Sequence, residues 1–165
     1  MKPCPKPANE RANLKIVLEQ LEDICRRIVF WRDGGICVER GIDGRRCFGA
    51  IQWGHFIPRA QSKFLKYDLG NTFCQCASHN NLHDKGAQTM GVWYAHTFGE
   101  TAHGAIEEAA RLNVGRKIYV ADYRETLEKN IALYENRPSI YRFTQLIKLG
   151  YYGEIVRSQG NHETA

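Results

Sequence analysis

The chain has 165 residues, 43% of them hydrophobic, and carries 23 Lys and Arg against 18 Asp and Glu, a net charge of +5. That size and apolar content suit one domain with a real core, and no apolar run approaches the ~18 residues of a membrane span. The mild basicity permits a polyanionic partner without demanding one. The N-terminal M-K-P-C-P-K-P-A-N-E lacks the apolar stretch of a secretory signal, so a reducing, cytoplasmic setting is expected.

Residues 1–9 hold three of the five prolines and read as a disordered arm. From Glu10 to Arg32, Leu14, Leu18, Leu21, Cys25, Ile28 and Trp31 recur at spacings of three and four, which predicts a long amphipathic helix. Its stripe serves either the core or a homodimer face, and Gly34-Gly35 ends it, giving a first unit over 10–35. Residues 36–86 are rich in glycine, with short β-prone runs at Ala50–Trp53, Phe56–Ile57 and Thr72–Cys74. They predict a loop-rich segment with a small hairpin whose arms meet near His55 and Asn71, followed by a helix from about Ser78. Over 87–156 the chain reads as helical, with candidates at Ala87–Phe98, Thr101–Leu112, Val120–Tyr134 and Ser139–Leu149. Residues 157–165 read as a loose polar tail.

The chemistry-bearing residues crowd into the middle unit. His55 follows a β-prone run and precedes the Pro58-Arg59 turn. A neutral imidazole there can take a proton from water. Arg59 can hold a phosphate by a bidentate contact. Lys63, Arg45 and Arg46 are further phosphate candidates, or simply a solvated basic surface. Asn71, in D-L-G-N, is either a turn residue or a group that fixes the backbone beside His55. Asn80 lies inside a predicted helix, where asparagine is unfavourable. Its amide oxygen suits Mg²⁺ or Mn²⁺, with His83 and Asp84 on the same helical face. Six cysteines occur without an export signal, which favours metal binding over disulfides. Cys76-x-x-His79 has a zinc-knuckle spacing, and Cys37 and Cys47 can complete a Cys₃His site. Cys74 competes with Cys76, Cys25 reads as core, and Cys4 as a free thiol in the proline-rich arm.

Taken in order, W-G-H-F-I-P-R, L-G-N and C-A-S-H-N resemble the HNH endonucleases, built on a ββα-metal unit. The family's first His falls on His55, its middle Asn on Asn71 and its last position on Asn80. Within the family the likeness is to the phage NinG/Rap recombination endonuclease group. The resemblance implies an α+β fold, with a ββα-metal unit and structural Zn²⁺ between a long N-terminal helix and several C-terminal ones. It implies His55 as general base, Asn71 as its orienting residue and Asn80 as ligand of a catalytic divalent metal. The implied partner is DNA, branched DNA in the NinG/Rap likeness, in a phage or prophage setting, with no membrane. The chain departs from the family at Gly54, where many members carry a metal ligand. His83, Asp84 or water would have to fill that place. Were the metal lost, a zinc-stapled DNA-binding module without catalysis would remain.

Overall fold

The computed structural model describes residues 8–42, 44–84, 89–139 and 142–160. Among them are seven α-helices and one two-stranded antiparallel sheet, a mixed α+β architecture.

Helix α1 spans Ala8–Arg32. Its inward residues Val17, Leu21, Ile24, Cys25, Ile28 and Val29 are all buried, the 3.6-residue stripe expected of a core-facing helix. On its outer face Arg26–Glu22 and Arg27–Asp23 form i,i+4 pairs at 2.6 and 2.8 Å. The helix closes with a Schellman motif. The Gly35 amide donates to the Phe30 carbonyl and the Gly34 amide to that of Trp31, with Gly34 at φ +65°.

Strands β1 (Ile51–His55) and β2 (Thr72–Cys76) pair with His55 opposite Thr72 and Gly54 opposite Phe73. The connection between them contains a 3-10 turn, Phe64–Tyr67. Period two then divides the sheet. Trp53, His55, Thr72, Cys74 and Cys76 face α1, where the Cys74 thiol reaches the Val29 carbonyl. Gln52, Gly54, Phe73 and Gln75 take the other face. There Phe73 meets Trp93 and Tyr94 edge-on at 4.7 and 5.9 Å. Helix α2 (Ala77–Asp84) follows β2 without a loop, making a β–β–α run. Beyond it lie α3 (Thr89–Phe98), α4 (Glu100–Leu112), α5 (Val120–Glu135), α6 (Phe143–Leu149) and α7 (Gly153–Gly160). Helix α5 packs along α1, α3 on α4, and α7 on α4 and α6.

One side chain ties these parts together. Arg32, buried at the end of α1, pairs with Asp33 at 2.6 Å. It also donates to the carbonyls of Leu69, Thr72 and Tyr151 at 2.7, 2.6 and 2.9 Å. Its guanidinium lies over the rings of Phe73 and Tyr152. Asp33 in turn accepts the Cys74 amide at 2.8 Å. The Asp33 carboxylate outweighs the burial that opposes the charge and raises the Arg32 pKa.

Several expectations need correction. The N-terminal helix begins at Ala8, inside the stretch read as a disordered arm; residues 1–7, with Cys4, lie outside the described residues. Phe56–Ile57 is not a strand, because the amides of both residues are taken by Asn71. Helix α6 starts at Phe143 rather than Ser139. Helix α7 continues to Gly160, so residues 157–160 are helical where a loose tail was expected. No helix among the described residues is long and apolar enough to cross a membrane.

Candidate functional site

Two arrangements sit on the β–β–α run. The first is a cluster of Cys37, Cys47, Cys76 and His79, whose ligand atoms all lie within 4.8 Å of one another. Cys76 ends β2, and His79 lies in the first turn of α2, three residues on and on the same side. The backbone beside Cys37 lies along β2, where the Val38 amide donates to the Cys74 carbonyl. Cys47 arrives on the loop before β1. The His79 Nδ1 stands 3.0 Å from the Cys76 sulfur, 3.5 Å from that of Cys37 and 3.8 Å from that of Cys47. Tetrahedral zinc, with bonds of about 2.3 Å to sulfur and 2.0–2.1 Å to nitrogen, would separate these atoms by roughly 3.6 Å. The four residues therefore fit zinc in both chemistry and spacing. Cys74 shares the strand face of Cys76 but lies beneath α1, bonded to the Val29 carbonyl. Position along the strand thus settles the choice between them.

The thiols differ sharply. Burial pushes Cys37 up to about 12 and also raises Cys47. Burial opposes the Cys76 thiolate too, but hydrogen bonds from the His79 and Phe48 backbone and from the His79 ring bring it down to about 7. Metal binding at such a site must displace protons.

The second arrangement centres on His55. This buried residue ends β1, with its ring 4.6 Å from that of Trp53. Its Nε2 lies 3.0 Å from the Lys66 carbonyl. A carbonyl only accepts, so Nε2 carries the proton, and in the neutral ring Nδ1 bears the lone pair. Asn71 is fully buried and holds the loop around this histidine. Its Oδ1 accepts the Ile57 amide at 2.6 Å. Its Nδ2 donates to the carbonyls of Ile57 and Leu65 at 3.1 and 3.0 Å. Its own carbonyl accepts the Phe56 amide at 2.8 Å. Asn71 thus grips the backbone just after His55 and just before Lys66, the residue whose carbonyl holds the ring.

Asn80, on α2, donates to Gln52 on β1 at 2.8 Å. It lines an open cleft of about 640 Å³ with Gln52, Trp53, Arg59, Arg26 and Arg27. Arg59 and Lys63 continue the basic lining into a neighbouring groove with Lys66 and Tyr67. Arg45 and Arg46 are exposed on the loop that carries Cys47. The side chains of His83 and Asp84 lie outside the described residues. Sequence reasoning missed Arg26 and Arg27. Their signal was the i,i+4 pattern with Glu22 and Asp23, which reads equally well as a solvated helix face.

Gly54 has a local explanation. A Cβ there would lie 1.7 Å from the Gln75 Oε1. The Gln75 Nε2 donates to the buried Glu39 carboxylate at 2.6 Å. The Gln75 Oε1 is itself buried without a hydrogen-bond partner among the described residues. A buried amide therefore occupies the space that a metal-binding side chain at position 54 would need. Apart from the four zinc-type ligands, the described residues hold no second cluster of three or more His, Cys, Asp or Glu. No protein-family model matches this chain, and comparison with curated proteins and with solved structures gives no significant match.

Proposed function

We propose that this chain is an HNH-type endonuclease that hydrolyses DNA phosphodiester bonds and is held in shape by a structural zinc at Cys37, Cys47, Cys76 and His79. The observation that carries the reading is the double restraint on His55. The Lys66 carbonyl fixes its Nε2, and Asn71 fixes the backbone on both sides of that contact. A histidine held as a single tautomer, with Nδ1 as its acceptor, is arranged as a general base. In this reading Nδ1 takes a proton from water as the water oxygen attacks phosphorus in line. The bond to the 3′-oxygen breaks, the leaving oxygen takes a proton from solvent water, and a 5′-phosphate and a 3′-hydroxyl result. Asn80 would contribute an amide oxygen to a divalent cation, which, when bound, supplies positive charge to the phosphate and the leaving oxygen. Arg59, Arg26 and Arg27 line the cleft with Asn80 and with Trp53, the ring neighbour of His55, and would hold the flanking phosphates.

A second reading, a zinc-stapled DNA-binding module without catalysis, draws on the Gln75 amide packed over Gly54. The deciding experiment is cleavage of linear duplex, single-stranded, forked and four-way-junction DNA with Mg²⁺ or Mn²⁺, beside His55→Ala and Asn80→Ala. The nuclease reading expects metal-dependent cutting that falls by about 10² or more in His55→Ala. Wild-type protein that binds these DNAs and never cuts them would establish the binding module instead.

A further inference from the structure

Phe48 is the most exposed large apolar side chain among the described residues, at 80%. It does not sit on a loose tip. The residue before it, Cys47, belongs to the Cys/His cluster. Its own carbonyl accepts the Ser78 amide at 3.1 Å, and the Ala50 carbonyl accepts that of Ala77 at 2.9 Å. Gly49 between them has φ +81°, and a Cβ there would lie 2.8 Å from that of Ala77. The loop is thus pressed against the start of α2 on one side and tied into the metal cluster on the other. An isolated exposed apolar residue needs no explanation; a phenyl ring held out to solvent on an immobilised backbone does.

Its surroundings name the partner. Residues 40–49 contain three arginines against one aspartate. Arg40, Arg45 and Arg46 are exposed. Phe48 lies three residues before Ile51, which lines the cleft with Asn80 and Arg59. Their Cα atoms are therefore no more than about 11 Å apart. An aromatic face among guanidinium groups, beside a basic cleft, suits a nucleobase whose phosphates are held by the arginines. Within duplex DNA every base is already stacked, so the ring gains a partner only where a base is unpaired.

We infer that Phe48 is a stacking platform for an unpaired nucleobase, so that this protein binds DNA with unpaired bases in preference to linear duplex. The inference rests on DNA as the partner but not on cleavage. It also makes the zinc cluster part of DNA recognition, because the metal would fix the loop that presents the ring.

The test is binding by fluorescence anisotropy, with the zinc retained and no magnesium or manganese added. Linear duplex is compared with forked DNA carrying 2-aminopurine at the first unpaired position, for wild type, Phe48→Ala and Phe48→Trp. Wild type is expected to favour the fork. Phe48→Ala should lose roughly 5- to 100-fold on the fork, and the 2-aminopurine response with it, while staying within about 2-fold on duplex. Phe48→Trp should keep both the preference and the response. Zinc content equal to wild type shows that Phe48→Ala retains its fold. Equal wild-type affinity for fork and duplex would overturn the inference, as would a Phe48→Ala variant unchanged on the fork. A Phe48→Ala variant that instead changes oligomeric state would also overturn it, assigning the ring to a protein interface. Fork preference through Phe48 in a protein that never cuts keeps this inference and removes the nuclease.

Discussion

A side chain at position 54 has to share space with the Gln75 amide, 1.7 Å from where its Cβ would sit. Gln75 is held on its other side by the Glu39 carboxylate and is fully buried, so it cannot swing out to solvent. Gly54→Asp is therefore expected to cost about 1–3 kcal/mol by overpacking. That corresponds to a fall in Tm of roughly 3–10 °C for a chain of this size. Gly54→Ala should also be destabilising, because its Cβ meets the same Gln75 oxygen while adding no charge and leaving the Gln75–Glu39 bond in place. A Gly54→Ala variant as stable as wild type would show that the clash is not the cause. None of this geometry was legible in the chain. Gly54 is recognisable as a residue that cannot ligate, but Gln75, twenty-one positions away, gives no local sign that it crosses the sheet to cover it.

Among the elements, the β–β–α run is the part the sequence announced most clearly. Cys76 and His79 lie three apart at a strand-to-helix junction, a spacing common to zinc knuckles. Cys37 and Cys47 were harder, because they belong to loops whose path follows from long-range contacts. Helix α7 escaped notice since its eight residues include two glycines and carry only a short apolar pattern. The Cys/His cluster gives the run a distinctive response to acid. In metal-free protein folding favours the Cys76 thiolate, so its contribution is complete above its ordinary pKa of 9.0 and disappears as pH falls through about 7. Cys37 acts in the opposite sense: with its pKa raised to about 12, it costs stability as pH rises above 9.0. Zinc must displace the protons of both. Purified protein is therefore expected to carry one zinc per chain, and to lose it progressively as pH drops from 8 toward 5 or on chelation. Elemental analysis and a colorimetric zinc-release titration check this together; protein purified without zinc that shows no change in Tm on adding zinc would contradict it. Because α1 and α5 pack on each other away from the cluster, most far-UV helical signal should survive the loss.

For the whole molecule, Arg32 matters more than any candidate site residue. Its sequence context, R-D-G-G, reads only as the end of a helix, and that reading is correct as far as it goes. What the chain does not reveal locally is that the guanidinium reaches the Tyr151 carbonyl across a separation of 119 residues. Arg32→Ala would leave the buried Asp33 carboxylate without its partner and three carbonyls without a donor, for a cost of about 3–5 kcal/mol. A chain ending at Asn136 keeps every residue of the Cys/His cluster and of the His55 arrangement. It is nevertheless expected to be less stable than the full chain by a similar amount or more. Limited proteolysis and thermal unfolding of the truncated protein test this, and a truncated chain as resistant as the full one would show that the reach to Tyr151 is dispensable.

That reach bears on the order of events during synthesis. The His55 and Cys/His segments leave the ribosome well before Tyr151 is made, and until then Arg32 lacks one of its acceptors and the cover provided by Tyr152. If the protein cuts DNA, the nascent chain would thus carry a complete set of chemical groups on an unfinished support. Competence would come only with the last few turns of helix, so that incomplete translation products would be poor nucleases.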